Sequence, residues 1–207
     1  GGKSRIAKEI AEIINVEAKD RPFVSLFCGS CAVEEKITGA VSVMCNDAHP
    51  YLIAMWKALQ SGWQPPDVVS ETEYARVKQN KDENPALTGF VGFSCSFGGK
   101  WFGGYAKNTR KDNYPLQASH SLAKARRRLA STTFSNADYR AVTVPDNAVV
   151  YCDPPYANTL GYSTGGFDSE AFWQYVYELS TRATVFVSEE TAPDWATCVW
   201  EKEVTRT

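Results

Sequence analysis

No run of this 207-residue chain is apolar for long enough to cross a membrane, and Gly1-Gly2-Lys3 leads into no apolar core of the secretory type. A membrane-embedded or secreted protein is therefore not expected, and a cytoplasmic one is. The only histidines, His49 and His120, stand apart, and no second Cys-x-x-Cys joins Cys28 and Cys31, so neither a zinc site nor any other metal is expected. The Gly-x-Gly-x-x-Gly fingerprint is missing, which disfavours a dinucleotide pyrophosphate. Internal repeats, low-complexity tracts and an initiating methionine are missing too, and the natural start is expected upstream. Six cysteines (Cys28, Cys31, Cys45, Cys95, Cys152, Cys198) have no framework spacing and sit in or beside apolar runs, as buried thiols of a reducing compartment do. Net charge is close to absent at −2, so a polyanion would not be drawn in by the protein as a whole.

What is present is a globular composition, 43% hydrophobic and 22% charged, long enough for one domain with an inserted subdomain. The charge is unevenly spread. Residues 100–140 carry nine Lys/Arg against Asp112 and Asp138, an excess of seven, which leaves the remainder at −9. A basic segment on an acidic body suits contact with a polyanion, and a solvated charged helix explains it equally well.

Ile6, Ile10, Ile13 and Ile14 recur at helical spacing, Phe23–Phe27 and Val41–Cys45 read as strands, and Leu52, Met55, Trp56 and Leu59 give a helix from Pro50 stopped by Gly62. Ser70-x-x-Glu73 is a capping box opening a polar helix to about Asn80. Pro85 opens an apolar helix through Phe97, Gly98–Tyr105 is a glycine-rich loop, and 117–130 is a basic amphipathic helix with Leu122 and Leu129 inward. Val149–Cys152 reads as a buried strand, Asp168 caps a helix from Ser169 to Leu179, Thr184–Val187 is a strand and Cys198–Val204 a last one. The alternation gives an α/β fold with a mostly parallel sheet, residues 1–72 and 144–207 forming the core and 73–143 a largely helical insertion without strand signal.

Asp153-Pro154-Pro155-Tyr156 ends the buried strand. The prolines stop it and fix the following carbonyls, giving a ledge with one carboxylate, one outward carbonyl and one aromatic face. Such a ledge suits a flat base with an exocyclic amine; Asp153 and the Pro154 carbonyl can accept from the amine while Tyr156 stacks. An ordinary strand with a proline turn is the plainer explanation. The loop Phe27-Cys28-Gly29-Ser30-Cys31 follows the first strand, where doubly wound folds bind nucleotide-like ligands, and Gly29 would let a ligand approach the backbone. Asp47 follows the second strand, where a carboxylate accepts ribose hydroxyls. S-adenosyl-L-methionine, with a ribose and no phosphate, fits this pair. Cys28-x-x-Cys31 could instead be a thioredoxin-like redox pair. Ser188-Glu189-Glu190 should lie beside Asp153 if the sheet is parallel, and Trp101, Phe102 and Tyr105 among lysines suggest either a stacking platform or buried aromatics.

Taken in order, Gly1-Gly2-Lys3, the 27–31 loop, Asn46-Asp47 with Leu52-Ile53, the basic insertion, Asp153-Pro-Pro-Tyr156 and Phe186-Val187-Ser188 resemble the Dam-type DNA adenine-N6 methyltransferases, with Gly92–Tyr105 and Ser188–Trp195 closest to bacteriophage members. The resemblance implies a Rossmann-like S-adenosylmethionine-dependent methyltransferase sheet whose insertion, 73–143, recognises the target in duplex DNA, in a bacterial or phage-infected cell and without an obligate protein partner. It implies catalytic roles for Asp153, Pro154 and Tyr156, and cofactor contacts from Lys3, Phe27, Gly29, Asp47 and Asp153. DNA contacts are expected from Lys100, Trp101, Tyr105, Lys107, Arg110, Lys124, Arg126, Arg127 and Arg128. Cys31 replaces the loop's usual second glycine, and the chain ends where a further strand is expected. An RNA guanine-N2 methyltransferase, a protein-glutamine methyltransferase (which would want Asn at 153) and an inactive DNA-binding fragment of the same fold stay open as alternatives.

Overall fold

Short β-branched and aromatic runs pair side by side in the computed structural model, which describes residues 3–107, 113–155 and 167–202. The strands β1 (Pro22–Ser25), β2 (Ser42–Asn46), β3 (Thr133–Ser135), β4 (Val149–Cys152) and β5 (Thr184–Val187) form one sheet in the order β3-β2-β1-β4-β5. Every neighbouring pair is parallel. This is the doubly wound order, and its direction reverses between β1 and β4, so a crevice opens beyond the carboxyl ends of those two strands. The inner strand β4, between β1 and β5, is buried at all four positions, as its unbroken Val-Val-Tyr-Cys run requires.

The helices α1 (Ala7–Ala18), α2 (Pro50–Gln60), α3 (Glu71–Gln79), α4 (Pro85–Ser94), α5 (Tyr114–Arg128) and α6 (Ser169–Ser180) cover the sheet. Their starts follow the capping residues. Ser70 Oγ accepts from the Glu73 amide at 3.0 Å, Asn113 Oδ1 from Leu116 at 3.1 Å, and Asp168 Oδ1 from Ala171 at 3.0 Å. At its far end α2 stops at Gly62 through paired bonds, Trp63 N to Ala58 O and Gly62 N to Leu59 O. Three apolar clusters result: α2, α3, α4 and α5 with Cys28, Cys31 and Cys45; α6 with Val24, Leu26 and Val150; and α1 with Phe23, Val149 and Tyr151.

Two expectations are corrected here. The stretch 73–143 contains a strand after all: β3 pairs with β2 from Met44↔Thr133 to Asn46↔Ser135, and its Phe134 stacks on Trp56 at 5.7 Å. Three residues, Thr-Phe-Ser, are too few to show an alternation. The last expected strand is not found in residues 198–202, where Val199 is exposed; the rest of that expectation lies outside the described residues. The chain's described helices include none long and apolar enough to cross a membrane.

Candidate active site

The crevice at the switch point is built from three strand ends. β1 runs into the Phe27–Val33 loop, held from both sides: the Cys28 amide donates to Asn46 O at 2.8 Å, and Trp56 Nε1 donates to Gly29 O at 3.1 Å. Gly29 adopts φ +48°, and a Cβ added there would meet nothing within 4 Å, so its backbone borders open space. Beyond β2, Asp47 accepts from the Gly29 amide at 3.0 Å through Oδ2 and from the His49 amide at 2.9 Å through Oδ1. Burial raises its proton affinity while the two amides oppose that, and among the described residues no cation pairs with it. The carboxylate is thus oriented by backbone and retains unused lone pairs.

Beyond β4, Asp153 Oδ1 is 2.7 Å from Lys3 Nζ, which the first helical turn, Lys3–Arg5, brings over the sheet edge. Burial raises the Asp153 proton affinity, and Lys3 pulls it back down. Pro154 is buried; Tyr156 and Arg110 lie outside the described residues. On the next strand the Ser188 amide donates to Cys152 O at 2.9 Å, which sets Ser188-Glu189 beside the ledge as a parallel sheet demands. Burial raises the Glu189 pKa, Lys3 lowers it and Asp153 raises it, which marks Glu189 as a neighbour of that pair.

Cys31 sits in the left-handed region at φ +54°, the conformation that glycine favours, and is fully buried with Cys28 and Cys45 rather than projecting into the crevice. Burial pushes the Cys28 thiol up to about 12 and Cys31 well above its ordinary range, and both are free. A redox pair needs an accessible, acidic thiol, so that alternative is set aside.

The remaining candidates divide. Phe27 packs edge-on against Phe172 and Phe167 and tilted against Tyr139, so its ring serves the α6 cluster. Trp101 stacks on Tyr51 at 5.5 Å, meets the His49 ring at 4.1 Å and fits so closely over Gly92 that a Cβ there would lie 2.2 Å from it. Tyr105 donates to Val69 O at 2.7 Å. Both aromatics are packing residues that fix the glycine-rich loop beside Asp47, rather than open platforms. Lys100 is exposed on that loop, and Lys107 pairs with Glu71.

Lys124, Arg126, Arg127 and Arg128 come near the other end of α2. Gln60, its last residue, donates to Leu129 O and Thr132 O, so these side chains sit about one 11-residue helix, ~16 Å, from the strand ends. Arg128 pairs with Glu35, and Arg126 and Arg127 line a separate groove of about 800 Å³ with Trp63, Asp67 and His120. Residues that sequence reasoning passed over are Trp56, His49 and Glu34; only their closeness in sequence to the loop and to Asp47 pointed to them, whereas Glu189 lies beside Asp153 as the parallel sheet was expected to place it.

The family model described as D12 class N6 adenine-specific DNA methyltransferase matches residues 1–91 and 96–177. Two solved structures of the rRNA methyltransferase aviRa from Streptomyces viridochromogenes align with 98% of this chain and 81% of theirs, at 13% identity and a TM-score of 0.46.

Proposed function

The chain belongs to the D12 class of N6 adenine-specific DNA methyltransferases, and we propose that S-adenosylmethionine is its methyl donor, held between the Phe27–Val33 loop and Asp47, with Asp153 and Pro154 meeting the adenine amine. The reaction is methyl transfer to adenine N6 in DNA, and a methyl donor is needed for it. The observation that carries the assignment of residues is the shared crevice: the open face of Gly29, Asp47 with no cation partner among the described residues, and the Lys3-held Asp153 all border the carboxyl ends of adjoining strands.

The residues present fit the donor. A carboxylate with backbone-fixed orientation and unused lone pairs suits two ribose hydroxyls, and a glycine bordering open space suits close approach of a flat nucleoside. When bound, the donor supplies a methyl group activated by a sulfonium charge. Lys3 engages Asp153 Oδ1, which leaves Oδ2 to accept from the amine, with the Pro154 carbonyl as second acceptor. Accepting both hydrogens favours a pyramidal nitrogen whose lone pair is localised, and fixed acceptors do this without reorganisation. The methylated amine, an acidic ammonium, then sheds its surplus proton. The target base must leave the duplex, at about a few kcal/mol, and Tyr156 stacking is the proposed compensation.

The test is transfer of labelled methyl to duplex DNA with the product nucleoside identified. N6-methyladenine is expected, and Asp153→Ala should lower the rate about 100- to 1000-fold with the fold intact. Near-full turnover by that variant removes Asp153 from the chemistry.

A further inference from the structure

Glu34 is a carboxylic acid in the core, 4% exposed, on the short helical turn Glu34–Lys36 where the Phe27–Val33 loop ends. Ser25 Oγ donates to its Oε1 at 2.6 Å, and Ser25 is itself fully buried in β1, opposite Tyr151 of β4 and Cys45 of β2. This one hydrogen bond ties the end of the loop back to the strand from which it springs. It also puts the acid under the sheet edge, where the strand opposite Ser25 continues two residues on to Asp153.

We propose that Glu34 is a positioning residue of the methyl-transfer site: its carboxyl group clamps the donor loop to β1 and sets the electrostatic field in which the donor and Asp153 sit. The inference rests on the reading of that loop as the donor site.

A neutral acceptor would hold Ser25 equally well, so the acid is distinguished by its charge. Burial raises the Glu34 pKa to about 7, with the Asp153 charge adding to the rise, while the Ser25 hydroxyl and the Val33 and Glu34 amides oppose it. The other groups facing it keep their state near neutrality. Cys28 is pushed up to about 12, Cys31 and Cys45 are raised, and Asp153 is paired with Lys3. On the outer side Glu35 pairs with Lys36 and Arg128, and on α1 Lys8 pairs with Glu12. A cationic ligand in the crevice stabilises the Glu34 anion, so donor binding near pH 7 expels the Glu34 proton to solvent.

Calorimetric titration of the protein with S-adenosylmethionine at pH 7, in two buffers of different ionisation enthalpy, counts that proton. Wild type is expected to release a fraction of one proton per donor bound, and Glu34→Gln, which keeps an oxygen for Ser25, to release none. Glu34→Ala should also weaken donor affinity about 5- to 10-fold through the lost clamp. Should Glu34→Gln not fold, Ser25→Ala replaces it: losing the hydroxyl should move proton release to higher pH. Equal release from wild type and Glu34→Gln, or an unmoved profile in Ser25→Ala, overturns the inference alone. A wild type that binds no S-adenosylmethionine overturns the donor-site reading and this inference with it.

Discussion

Replacing Lys3 by Met removes the cation that keeps Asp153 ionised. At 2.7 Å, and with an effective dielectric constant of about 20, the pair attracts by ~6 kcal/mol before desolvation. The side chains are 13% and 27% exposed, between a surface pair, where about 1 kcal/mol is the ceiling, and a broken buried pair, which costs about 3–5. A net loss of about 2 kcal/mol is therefore expected, felt as a proton bound to Asp153 ~30-fold more tightly. The sign is fixed. Lys3 favours the carboxylate, so without it Asp153 stays protonated to higher pH and loses its acceptor. The variant's single-turnover rate, taken with donor and DNA saturating, should fall furthest below wild type at acid pH, and the ratio should recover by up to ~30-fold as pH rises. Since burial already raises the Asp153 pKa, its share of stability is lost as pH rises through the folded value. The variant should then be less stable than wild type at neutral pH and nearly equal to it well below the carboxylate range. Lys3→Arg should restore both profiles. A rate ratio independent of pH would refute the argument, because Lys3 would then act on something other than the Asp153 proton.

The sequence made the sheet legible where a signal extends over a whole element. Val149–Cys152, with apolar residues throughout and prolines after it, reads as a buried strand, and Ser70-x-x-Glu73 and Asp168 marked helix starts through side-chain chemistry confined to four residues. Asp47, Gly29 and Asp153 were readable because strand ends and turn residues bring them to one edge in any parallel sheet of this order. The illegible parts depend on what packs against what. Nothing local tells Trp101 that its faces will be taken by Tyr51 and His49, or Arg128 that Glu35 will meet it. The excess of seven positive charges shrinks for the same reason, since Lys107 and Arg128 each find a carboxylate outside the segment, on Glu71 and Glu35. Nothing local marks Glu34, beside Glu35 and Lys36, for the interior; only the fold turns it inward to Ser25.

Burial lowers the His49 pKa from 6.5 to about 4, so the unfolded chain takes up a proton that the folded one refuses, and stability should fall as pH drops through that window. His49→Phe should flatten this acid dependence by about 2 kcal/mol, discounted for partial exposure, and thermal melts from pH 7 to 4 that parallel wild type would contradict it. Gly89→Ala puts a Cβ 2.1 Å from Tyr51 O, between α4 and the first turn of α2. The overlap should outweigh the ~1 kcal/mol gain in helix propensity and lower stability by about 2 kcal/mol in a urea titration; an unchanged midpoint would mean the helices do not approach so closely. Arg126 and Arg127 test where DNA lies. They stand about a helix length from the strand ends where Gly29, Asp47 and Asp153 meet, while Lys100 is exposed on the loop that Trp101 anchors beside Asp47. A short duplex docked over that edge should therefore meet Lys100 first. Lys100→Ala should reduce the salt slope of DNA binding by about 0.9, one phosphate contact, and neutralising Arg126 and Arg127 together should leave it unchanged. A fall of about 1.8 in the double variant would mean that the duplex wraps down the side of the molecule to the end of α5, and that the basic segment, not the sheet edge, sets its path.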